Sequence, residues 1–483
     1  MFCRLNSGFK DMETKQLKNK KILVLGLSTT GFAAAKFLLR AGADCFLSDS
    51  NELSKENEAK ADILKKAGAK LEFGGHSKEF IKGAEFCVLS PSIPPNAPVL
   101  GLLEELKIPY FSDIELAFKI KSDKTKIIAI TGTNGKTTTT MLVSHILSGK
   151  YTAPAAGNVG VSPLDYLCPL ADSKFGVDVS LEIKAAADAE PDYLVVEASS
   201  YQLHYTKDFA PNAAIFCNLT PDHIAWHGGI ENYFNDKAKM YRNMGENAHA
   251  VLNFDDERVK NISTKASKHY FMLNASGGED DAYVKDEKIY YGDEPVIDVK
   301  DVPIVGNHNL QNVMCAVIAA KAARLSNELI KERIKSFKAP KHRCEFILEL
   351  NGISYYNDSK ATNPEASNVA IGAFGGKKTV LIAGGRDKNT PLDEFCELIK
   401  KNIEKVVLIG EAAQRFSEAL TGAGFSDIVF SKTLEEAVDE AERGKPDVVL
   451  FSPACASFDM FKNYEVRGDA FRDYVLSKKS GTR

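Results

Sequence analysis

The chain repeats one local pattern: a short run of apolar, mostly β-branched residues, then a glycine or small polar residue, then a stretch with helical spacing. Because these runs do not alternate with polar residues, they predict strands that are buried on both faces. Strands of this kind, separated by helices, are typical of parallel sheets that carry helices on both sides. The pattern therefore predicts an α/β fold.

The apolar runs fall into three groups along the 483 residues, a length that suits about three domains of ~150 residues each. The groups are "KILVLG" (21–26) and "FCVLSPS" (86–92); "KIIAITG" (126–132), "DYLVVEASS" (192–200) and "AAIFCNLTPDH" (213–223); and "KTVLIAGG" (378–385), "KVVLIG" (405–410) and "DVVLFSPACAS" (447–457). Seams near 120–126 and 336–346 predict domains at 1–123, 124–338 and 339–483. The stretch 281–303 alternates differently and predicts a small antiparallel insertion.

Composition bears on partners and location. A net charge of −4 gives no electrostatic reason to expect nucleic acid or an anionic membrane as a partner. No apolar run approaches the ~18 residues of a membrane span, and the first 21 residues predict a short disordered lead-in without a signal peptide. Nine dispersed cysteines without a C-x-x-C pair argue for reduced thiols and against a zinc site or disulfide frame. We expect a cytoplasmic monomer.

The first domain begins with a near-match to the dinucleotide fingerprint. "GLSTTG" (26–31) follows a strand and opens a helix, and Asp49 ends the next strand. The middle glycine of G-x-G-x-x-G is Ser28, whose side chain obstructs close approach of a pyrophosphate. NAD or FAD is therefore disfavoured. A tight turn without a ligand stays open, but a different nucleotide or nucleotide-sugar at the helix N-terminus is the favoured interpretation.

The second domain contains "IIAITGTNGKTTTT" (127–140), an unusual phosphate-binding loop. Gly132 lies three residues before Gly135, where the common G-x-x-x-x-G-K-[ST] pattern has a spacing of five. The functional parts remain, because backbone N–H groups precede a helix, Lys136 can reach the β- and γ-phosphates, and Thr137 can ligate Mg²⁺. The loop predicts nucleoside triphosphate binding by Gly132, Thr133, Asn134, Gly135, Lys136, Thr137 and Thr138.

This loop, "TGTNGKT", resembles that of the Mur ligases and folylpolyglutamate synthases, and further motifs extend the resemblance over nearly the whole chain. They are "SPSIPP", "SDIELAF", "EASSYQL" (197–203), "NLTPDHIAWHG" (218–228), "YFNDKAKMY" (233–241), "GNHNLQN" (306–312), "HRCEF" (342–346), "NDSKATNPEA" (357–366) and "SPACASFDMFKNYEVRG" (452–468). The resemblance implies a Rossmann-like N-terminal domain, a central P-loop ATPase-like domain and a Rossmann-like C-terminal domain. It also implies an ATP-dependent enzyme that joins a carboxylate to an amine.

Within the family, the motifs resemble those of the branch that adds D-glutamate to UDP-N-acetylmuramoyl-L-alanine through an acyl phosphate. "NDSKATN", in place of a D-N-P-R-type motif, favours D-glutamate. Ser92 stands where the family has glycine, and Asn51 where arginine is common, which concerns the details of UDP recognition. Three alternatives remain: a ligase for another amino acid, a P-loop ATPase coupled to motion, and a noncatalytic UDP-sugar-binding module.

The resemblance also implies roles for individual residues in catalysis and metal binding. Glu197 and Thr137 would hold Mg²⁺ at the phosphates, and His223 would ligate a second ion. Lys237 and Lys239 are two residues apart, about 200° around a helix, so only one of them can face a given site. Lys237, and not Lys239, matches the family's carbamylated lysine, which as a carbamate offers the anionic oxygen that Mg²⁺ prefers. The predicted catalytic residues are Lys136, His223 and Lys237.

Further assignments follow from the same motifs. Asn309 and Asn312, one helical turn apart, suit adenine, whereas Asn307 is interpreted as a helix cap. The remaining predicted contacts are Arg343 with the γ-phosphate; Asp358 with the ribose; Ser28, Thr29, Thr30, Asp49, Ser50 and Asn158 with the UDP-substrate; and Lys360, Thr362, Lys388, Ser457 and Tyr464 with D-glutamate. Trp226 and His227 receive no role, because packing explains them adequately.

Overall fold

The computed structural model describes residues 14–167, 190–273 and 276–480. By compactness the chain forms two units, Met1–Asp298 with Gln311–Ile334, and Val299–Leu310 with Lys335–Arg483. The first 13 residues of the predicted disordered lead-in lie outside the described residues. For residues 14–20 that prediction is wrong, because Thr14–Leu17 forms a 3-10 helix and Leu17 is buried in the core.

The first unit contains two sheets, the first of which is parallel. Its strands are β1 (Lys21–Leu25), β2 (Asp44–Asp49), β3 (Lys70–Phe73), β4 (Cys87–Leu89) and β5 (Tyr110–Ser112), in the order β3-β2-β1-β4-β5. Its helices are α1 (Thr29–Arg40), α2 (Lys55–Lys66), α3 (Lys78–Ile81), α4 (Pro98–Glu105) and α5 (Asp113–Ile120). The strand order reverses at β1, so the loops after β1 and β4 meet at a switch point, where open α/β sheets bind ligands.

The second sheet of this unit is longer and mixed. Its strands are β6 (Lys126–Thr131), β7 (Ala155–Gly157), β8 (Tyr193–Glu197), β9 (Ala213–Phe216), β10 (His249–Asn253), β11 (Ser267–Met272), β12 (Ala282–Lys285), β13 (Lys288–Tyr291) and β14 (Glu294–Asp298), in the order β14-β13-β12-β11-β10-β9-β6-β8-β7. β13 pairs antiparallel with both β12 and β14, which confirms the antiparallel insertion predicted within 281–303. The other pairs are parallel.

The helices that follow β6 begin with α6, directly after the phosphate-binding loop. They are α6 (Lys136–Leu147), α7 (Pro163–Tyr166), α8 (Ser200–His204), α9 (Ile224–His227), α10 (Ile230–Arg242), α11 (Glu257–Lys260), α12 (Asn307–Ala322) and α13 (Asn327–Lys335). A 3-10 turn, Val299–Asp301, follows β14.

One hydrophobic core explains why the two sheets form a single unit. It joins side chains of the first sheet and its helices, such as Leu38 and Ile114, to side chains around the second, such as Leu164 and Phe209. A polar contact accompanies it: buried Asp113 accepts hydrogen bonds from Ser162 (3.0 Å) and Gln202 (3.0 Å). Burial raises the pKa of the Asp113 carboxyl, and these two donors oppose that rise.

The second unit is built on a sheet with the order β15-β16-β20-β17-β18-β19. The strands are β15 (Glu345–Leu350), β16 (Ile353–Asn357), β17 (Thr379–Gly384), β18 (Lys405–Ile409), β19 (Ile428–Phe430) and β20 (Val448–Phe451), and β15 alone of these runs antiparallel to its neighbour. Its helices are α14 (Pro364–Gly372), α15 (Asp393–Asn402), α16 (Ala413–Gly422), α17 (Leu434–Glu442) and α18 (Tyr464–Ser480). Alternate residues of β17 belong to two separate hydrophobic cores. Leu381 lies in one core and Ile382 in the other, as expected for a strand covered on both faces.

The predicted α/β architecture with buried parallel strands is confirmed. One sheet falls within each predicted domain range, but the boundaries at 123/124 and 338/339 remain predictions. Each cysteine that the structure describes is a free thiol. Among the described residues, no helix is long and apolar enough to cross a membrane.

Candidate active site

The phosphate-binding loop connects β6 to α6 and is shaped by its two glycines. Gly132 has φ +153° and Gly135 has φ +80°, which an L side chain rarely adopts. Asn218, which follows β9, holds the loop from outside: its Oδ1 accepts from the Asn134 N–H (2.8 Å) and its backbone carbonyl accepts from the Thr133 N–H (2.9 Å). Asn218 lies in a motif that the sequence singled out, but this positioning role was not predicted.

Lys136 and Thr138 lie in the first turn of α6, beside this loop. The Lys136 ammonium donates to the Thr133 carbonyl (2.7 Å), so the side chain folds over the loop, where phosphates are expected. Thr138 is buried. The N-terminus of α6 also carries the positive end of the helix dipole, which favours an anion.

Glu197, at the end of β8, links the loop to its surroundings. Thr137 Oγ1 donates to Glu197 Oε2 (2.7 Å), and Asn158 Nδ2 donates to Glu197 Oε1 (2.8 Å). Glu197 is buried, with 1% of the residue's surface exposed. The Thr137 hydroxyl and the Glu197 carboxylate are adjacent oxygen ligands of the kind that Mg²⁺ prefers, so these two residues fit the predicted metal.

Lys237 projects from α10 towards the same loop. Its Nζ donates to the Gly132 carbonyl (2.6 Å) and lies 4.6 Å from the centre of the Tyr233 ring. Burial, reinforced by the nearby positive charge of Lys136, holds the pKa of the Lys237 amine well below its usual value. Lys239 turns elsewhere and donates to the His204 carbonyl (2.6 Å), which confirms that only one of these two lysines faces the loop.

His223 lies in the segment between β9 and α9. Its backbone has φ +52°, a conformation that is uncommon for a non-glycine residue and is found at functional sites. Its ring lies 5.0 Å from that of Tyr201, and its Nε2 lies 3.4 Å from Asp222 Oδ2. The side chain is 47% exposed and, within the described part of the chain, makes no hydrogen bond to Lys237.

A cavity of about 390 Å³ lies beside the loops that follow β1 and β4. It is lined by Ser28, Thr29, Thr30, Ser90, Pro91, Ser92, Asn158, Ser199, Tyr201 and Trp226. Four of the residues predicted for the UDP-substrate are therefore together. Ser90 received no predicted role, although it is the first residue of the motif "SPSIPP"; its Oγ is 2.7 Å from Ser28 Oγ.

Asp49 and Ser50, also predicted for the UDP-substrate, are not among the residues that the structure places on this cavity. Asp49 Oδ2 accepts from the Leu27 N–H (2.7 Å), and its Oδ1 accepts from the Asn51 N–H (2.9 Å). Asp49 thus shapes the loop after β1, and Ser50 is exposed. Their direct role in substrate binding stays a prediction.

The two asparagines predicted for adenine have different surroundings. Asn312, in the first unit, is buried, and its Oδ1 accepts from Thr139 Oγ1 (3.1 Å) on the helix that follows the phosphate loop. Asn309, in the second unit, donates to the Val305 carbonyl (2.7 Å). The contact with Thr139 connects Asn312 to the nucleotide loop.

In the second unit, two of the residues predicted for D-glutamate are in contact. Lys360 Nζ donates to Tyr464 Oη (3.0 Å) and lies 4.9 Å from the ring centre. Arg467, which was not predicted, is buried and donates to the carbonyls of Ser359 (2.8 Å) and Cys455 (3.0 Å). It thereby joins the two motif-bearing loops, "NDSKATN" and "SPACAS".

The other predicted residues of this unit differ in exposure. Asp358 is buried, accepts from Ser452 Oγ (2.7 Å) and from the Cys344 N–H (3.0 Å), and has its pKa raised to about 7 by burial. Ser457 is buried, Arg343 and Thr362 are partly buried, and Lys388 is exposed.

Comparison with protein families covers all three sheets. The Mur ligase MurD-like N-terminal domain matches residues 20–110, the Mur ligase middle domain matches residues 130–320, and the Mur ligase, glutamate ligase domain matches residues 342–455. The three-domain α/β fold predicted from the sequence is thereby confirmed.

Relatives and solved structures agree with these matches. The chain is 38% identical to UDP-N-acetylmuramoylalanine–D-glutamate ligase of Thermoanaerobacter pseudethanolicus, over 95% of this chain and 99% of the relative. It is 37% identical to the ligase of the same name from Geobacillus kaustophilus, over 96% and 99%. The fold is similar to that of UDP-N-acetylmuramate-alanine ligase MurC from Thermotoga maritima, with a TM-score of 0.56 at 17% identity over 95% of this chain and 99% of that one. The chain therefore belongs to the Mur ligase family of ATP-dependent ligases.

Proposed function

We propose that this chain joins D-glutamate to UDP-N-acetylmuramoyl-L-alanine with consumption of ATP. Its relatives are named as ligases of UDP-N-acetylmuramoylalanine and D-glutamate. The observation that carries the proposal is the position of Glu197. One of its oxygens accepts from Thr137 of the phosphate loop, and the other accepts from Asn158, which lines the cavity beside the first sheet. A single carboxylate thus connects the nucleotide loop to a cavity in which a second substrate can lie.

The chemistry explains the need for that connection. A carboxylate does not condense with an amine directly, because oxide and hydroxide are poor leaving groups. In the proposed reaction, an oxygen of the alanyl carboxylate attacks the ATP γ-phosphorus and ADP leaves. The amine of D-glutamate then attacks the acyl carbon, loses a proton and expels phosphate. Two anions meet in the first step, so cations must offset their repulsion.

We assign that task to Lys136 and to two Mg²⁺ ions. Thr137 and Glu197 would hold one ion, and His223 with a carbamylated Lys237 would hold the other. Bound Mg²⁺ supplies charge compensation for the phosphate and acyl oxygens. Lys136 supports the assignment because its ammonium already lies over the loop, 2.7 Å from the Thr133 carbonyl.

The surroundings of Lys237 support its carbamylation. An ammonium offers only donors and repels a metal ion. Because burial and Lys136 lower the pKa of Lys237, more of the amine is neutral, and a neutral amine can attack CO₂ and lose a proton to give a carbamate. The product is an anionic oxygen ligand beside the phosphate loop.

We further assign Asn309, Asn312, Arg343 and Asp358 to ATP, and the cations and hydroxyls of the second unit to D-glutamate. The latter are Lys360, Thr362, Lys388, Ser457 and Tyr464. The Lys360–Tyr464 contact supports this assignment, since a dicarboxylic amino acid requires cationic and hydroxyl donors. We also propose that the protein acts as a cytoplasmic monomer.

The ligase activity is tested by phosphate release. With ATP, Mg²⁺ and UDP-N-acetylmuramoyl-L-alanine present, we expect release to require an amino acid, with D-glutamate strongly preferred over L-glutamate, lysine and diaminopimelate. Release should require the amino acid because the acyl phosphate loses phosphate only after an amine has attacked its acyl carbon. Equal release without any amino acid would indicate an ATPase, and preference for lysine or diaminopimelate would indicate a ligase for another amino acid.

Nucleotide selectivity of the first sheet is tested by calorimetric titration. We expect UDP to bind and NAD to give no heat of binding, because the Ser28 hydroxyl occupies the position of the fingerprint's middle glycine. Ser28 Oγ also accepts from the Gly31 N–H (3.3 Å), which holds the hydroxyl in that position. Tight NAD binding together with no response to UDP would overturn the assignment.

A further inference from the structure

A cluster of possible metal ligands lies where α8, α9 and α10 meet. His204 ends α8, His227 ends α9, and Asp236 lies within α10. His204 Nδ1 and His227 Nδ1 each lie 2.8 Å from the same atom, Asp236 Oδ2. Each residue offers one ligand atom, and all three atoms lie within 4.8 Å of one another. Three separate helices therefore bring two imidazoles and a carboxylate to one point.

The cluster combines burial with an opening. His227 and Asp236 have side chains that are 0% and 8% exposed, whereas His204 is 28% exposed. All three residues line a cavity of about 540 Å³, which Asn96, Asn232 and Asn235 also line. An ion can thus enter from this cavity and meet ligands that packing already holds in place.

Neighbouring groups suit the imidazoles to a metal. His227 Nε2 lies 3.0 Å from Ser200 Oγ, so the ring can donate from Nε2 while Nδ1 is left to coordinate. Lys239 Nζ holds the other carboxylate oxygen, Asp236 Oδ1, at 2.9 Å. The Lys239 ammonium repels any cation at the cluster. This repulsion disfavours metal ions that bind mainly by charge and favours a metal ion that coordinates nitrogen strongly.

We propose that His204, His227 and Asp236 bind a divalent ion of the Zn²⁺ type, separate from the Mg²⁺ ions of the ligase reaction. Two histidines and a carboxylate form a common zinc ligand set, with water in the fourth position. The ion would tie α8 and α9 to α10, the helix that carries Lys237. The cysteine spacing argued against a zinc site, but this one needs no cysteine.

Hydrogen bonds from two imidazole N–H groups to Asp236 would explain the same distances without a metal, so the test measures binding directly. Co²⁺ is titrated into the full chain without nucleotide, and its visible absorption reports nitrogen ligation in a low-coordinate site. We expect one equivalent to bind, Zn²⁺ to displace it, and His204→Gln to weaken binding by about tenfold or more. Absence of the absorption would overturn the proposal.

Two matched variants separate this site from others. His223→Gln removes a histidine assigned to Mg²⁺, and His249→Gln disrupts another histidine pair, in which His249 Nδ1 lies 3.0 Å from His269 Nε2. Both variants should retain the Co²⁺ signal, and circular dichroism shows whether His204→Gln is folded. A signal that survives His204→Gln but disappears in His223→Gln would assign the ion to the Mg²⁺ site and overturn the proposal. Because no activity is measured, the result is independent of the proposed ligase reaction.

Discussion

Lys237→Ala is expected to lower ligase turnover by about three orders of magnitude, which corresponds to about 4 kcal/mol of lost transition-state stabilisation. The change removes Nζ, the atom on which the carbamate would form. Nζ lies 2.6 Å from the Gly132 carbonyl, so the lost oxygen ligand would have been beside the phosphate loop. Binding of the UDP-substrate should persist, because Lys237 is not among the residues lining the cavity beside the first sheet. Steady-state phosphate release and calorimetry with the UDP-substrate measure the two effects separately.

Two variants distinguish a carbamate from a simple hydrogen-bond donor at position 237. Lys237→Arg keeps a cation but cannot supply the neutral amine that attacks CO₂, so it should be as inactive as the alanine variant. Lys239→Ala should be mild, because Lys239 contacts His204 and Asp236 and not the phosphate loop.

Chemical evidence for the carbamate comes from two further measurements. Short carboxylic acids should partly restore the activity of Lys237→Ala by replacing the missing oxygens. With ¹³C-labelled bicarbonate, the wild-type chain should give a carbamate resonance that Lys237→Ala lacks. A fully active Lys237→Ala enzyme would show that this lysine has no catalytic part.

The strands and the loop were predictable because they depend on local order in the sequence. A buried parallel strand must be apolar along its length, so β6, β8 and β9 could be read directly, as could the glycine turn before Lys136. The two-residue separation of Lys237 and Lys239 also sufficed to predict that they face different ways on a helix. These inferences need no knowledge of distant contacts.

What the sequence did not predict depends on contacts between distant segments. Asn218 supports a loop 84 residues earlier, and Arg467 joins two loops whose contacted residues lie 108 and 12 residues before it. His227 was interpreted as a packing residue, and its polar partners, which lie on two other helices, were not predicted. Short polar motifs show that a residue matters locally, but they do not show which distant group it will meet.

The sequence also did not predict that the first two sheets form a single compact unit, because that unit depends on contacts between distant segments. Its common core depends on apolar side chains such as Leu38 and Phe209, whose patterns also suit separate domains. The polar contact of Asp113 with Ser162 and Gln202 joins three segments that no spacing rule connects. Domain number was therefore more predictable from the sequence than the packing between domains.

Gly135→Ala is the second change for which we expect a large loss, about 100-fold or more in kcat/KM for ATP, since small displacements at a catalytic site can cost that much. At φ +80° an L side chain is strained by about 1–2 kcal/mol. The added Cβ would also lie 2.5 Å from Asn312 Oδ1, so at least one of the two atoms must shift. The change therefore displaces the phosphate loop, the asparagine assigned to adenine, or both.

Strain and collision can be separated experimentally. Gly83 has nearly the same backbone angle, φ +82°, but an added Cβ there has no neighbour within 4 Å. Gly83→Ala should thus retain activity although it carries a similar strain. In an Asn312→Ala background, Gly135→Ala should cost less than in the unmodified chain, because the colliding oxygen is gone and the two changes are coupled. Full additivity of the two substitutions would mean that the loop loses activity through backbone strain alone, whereas wild-type kinetics in Gly135→Ala would contradict both explanations.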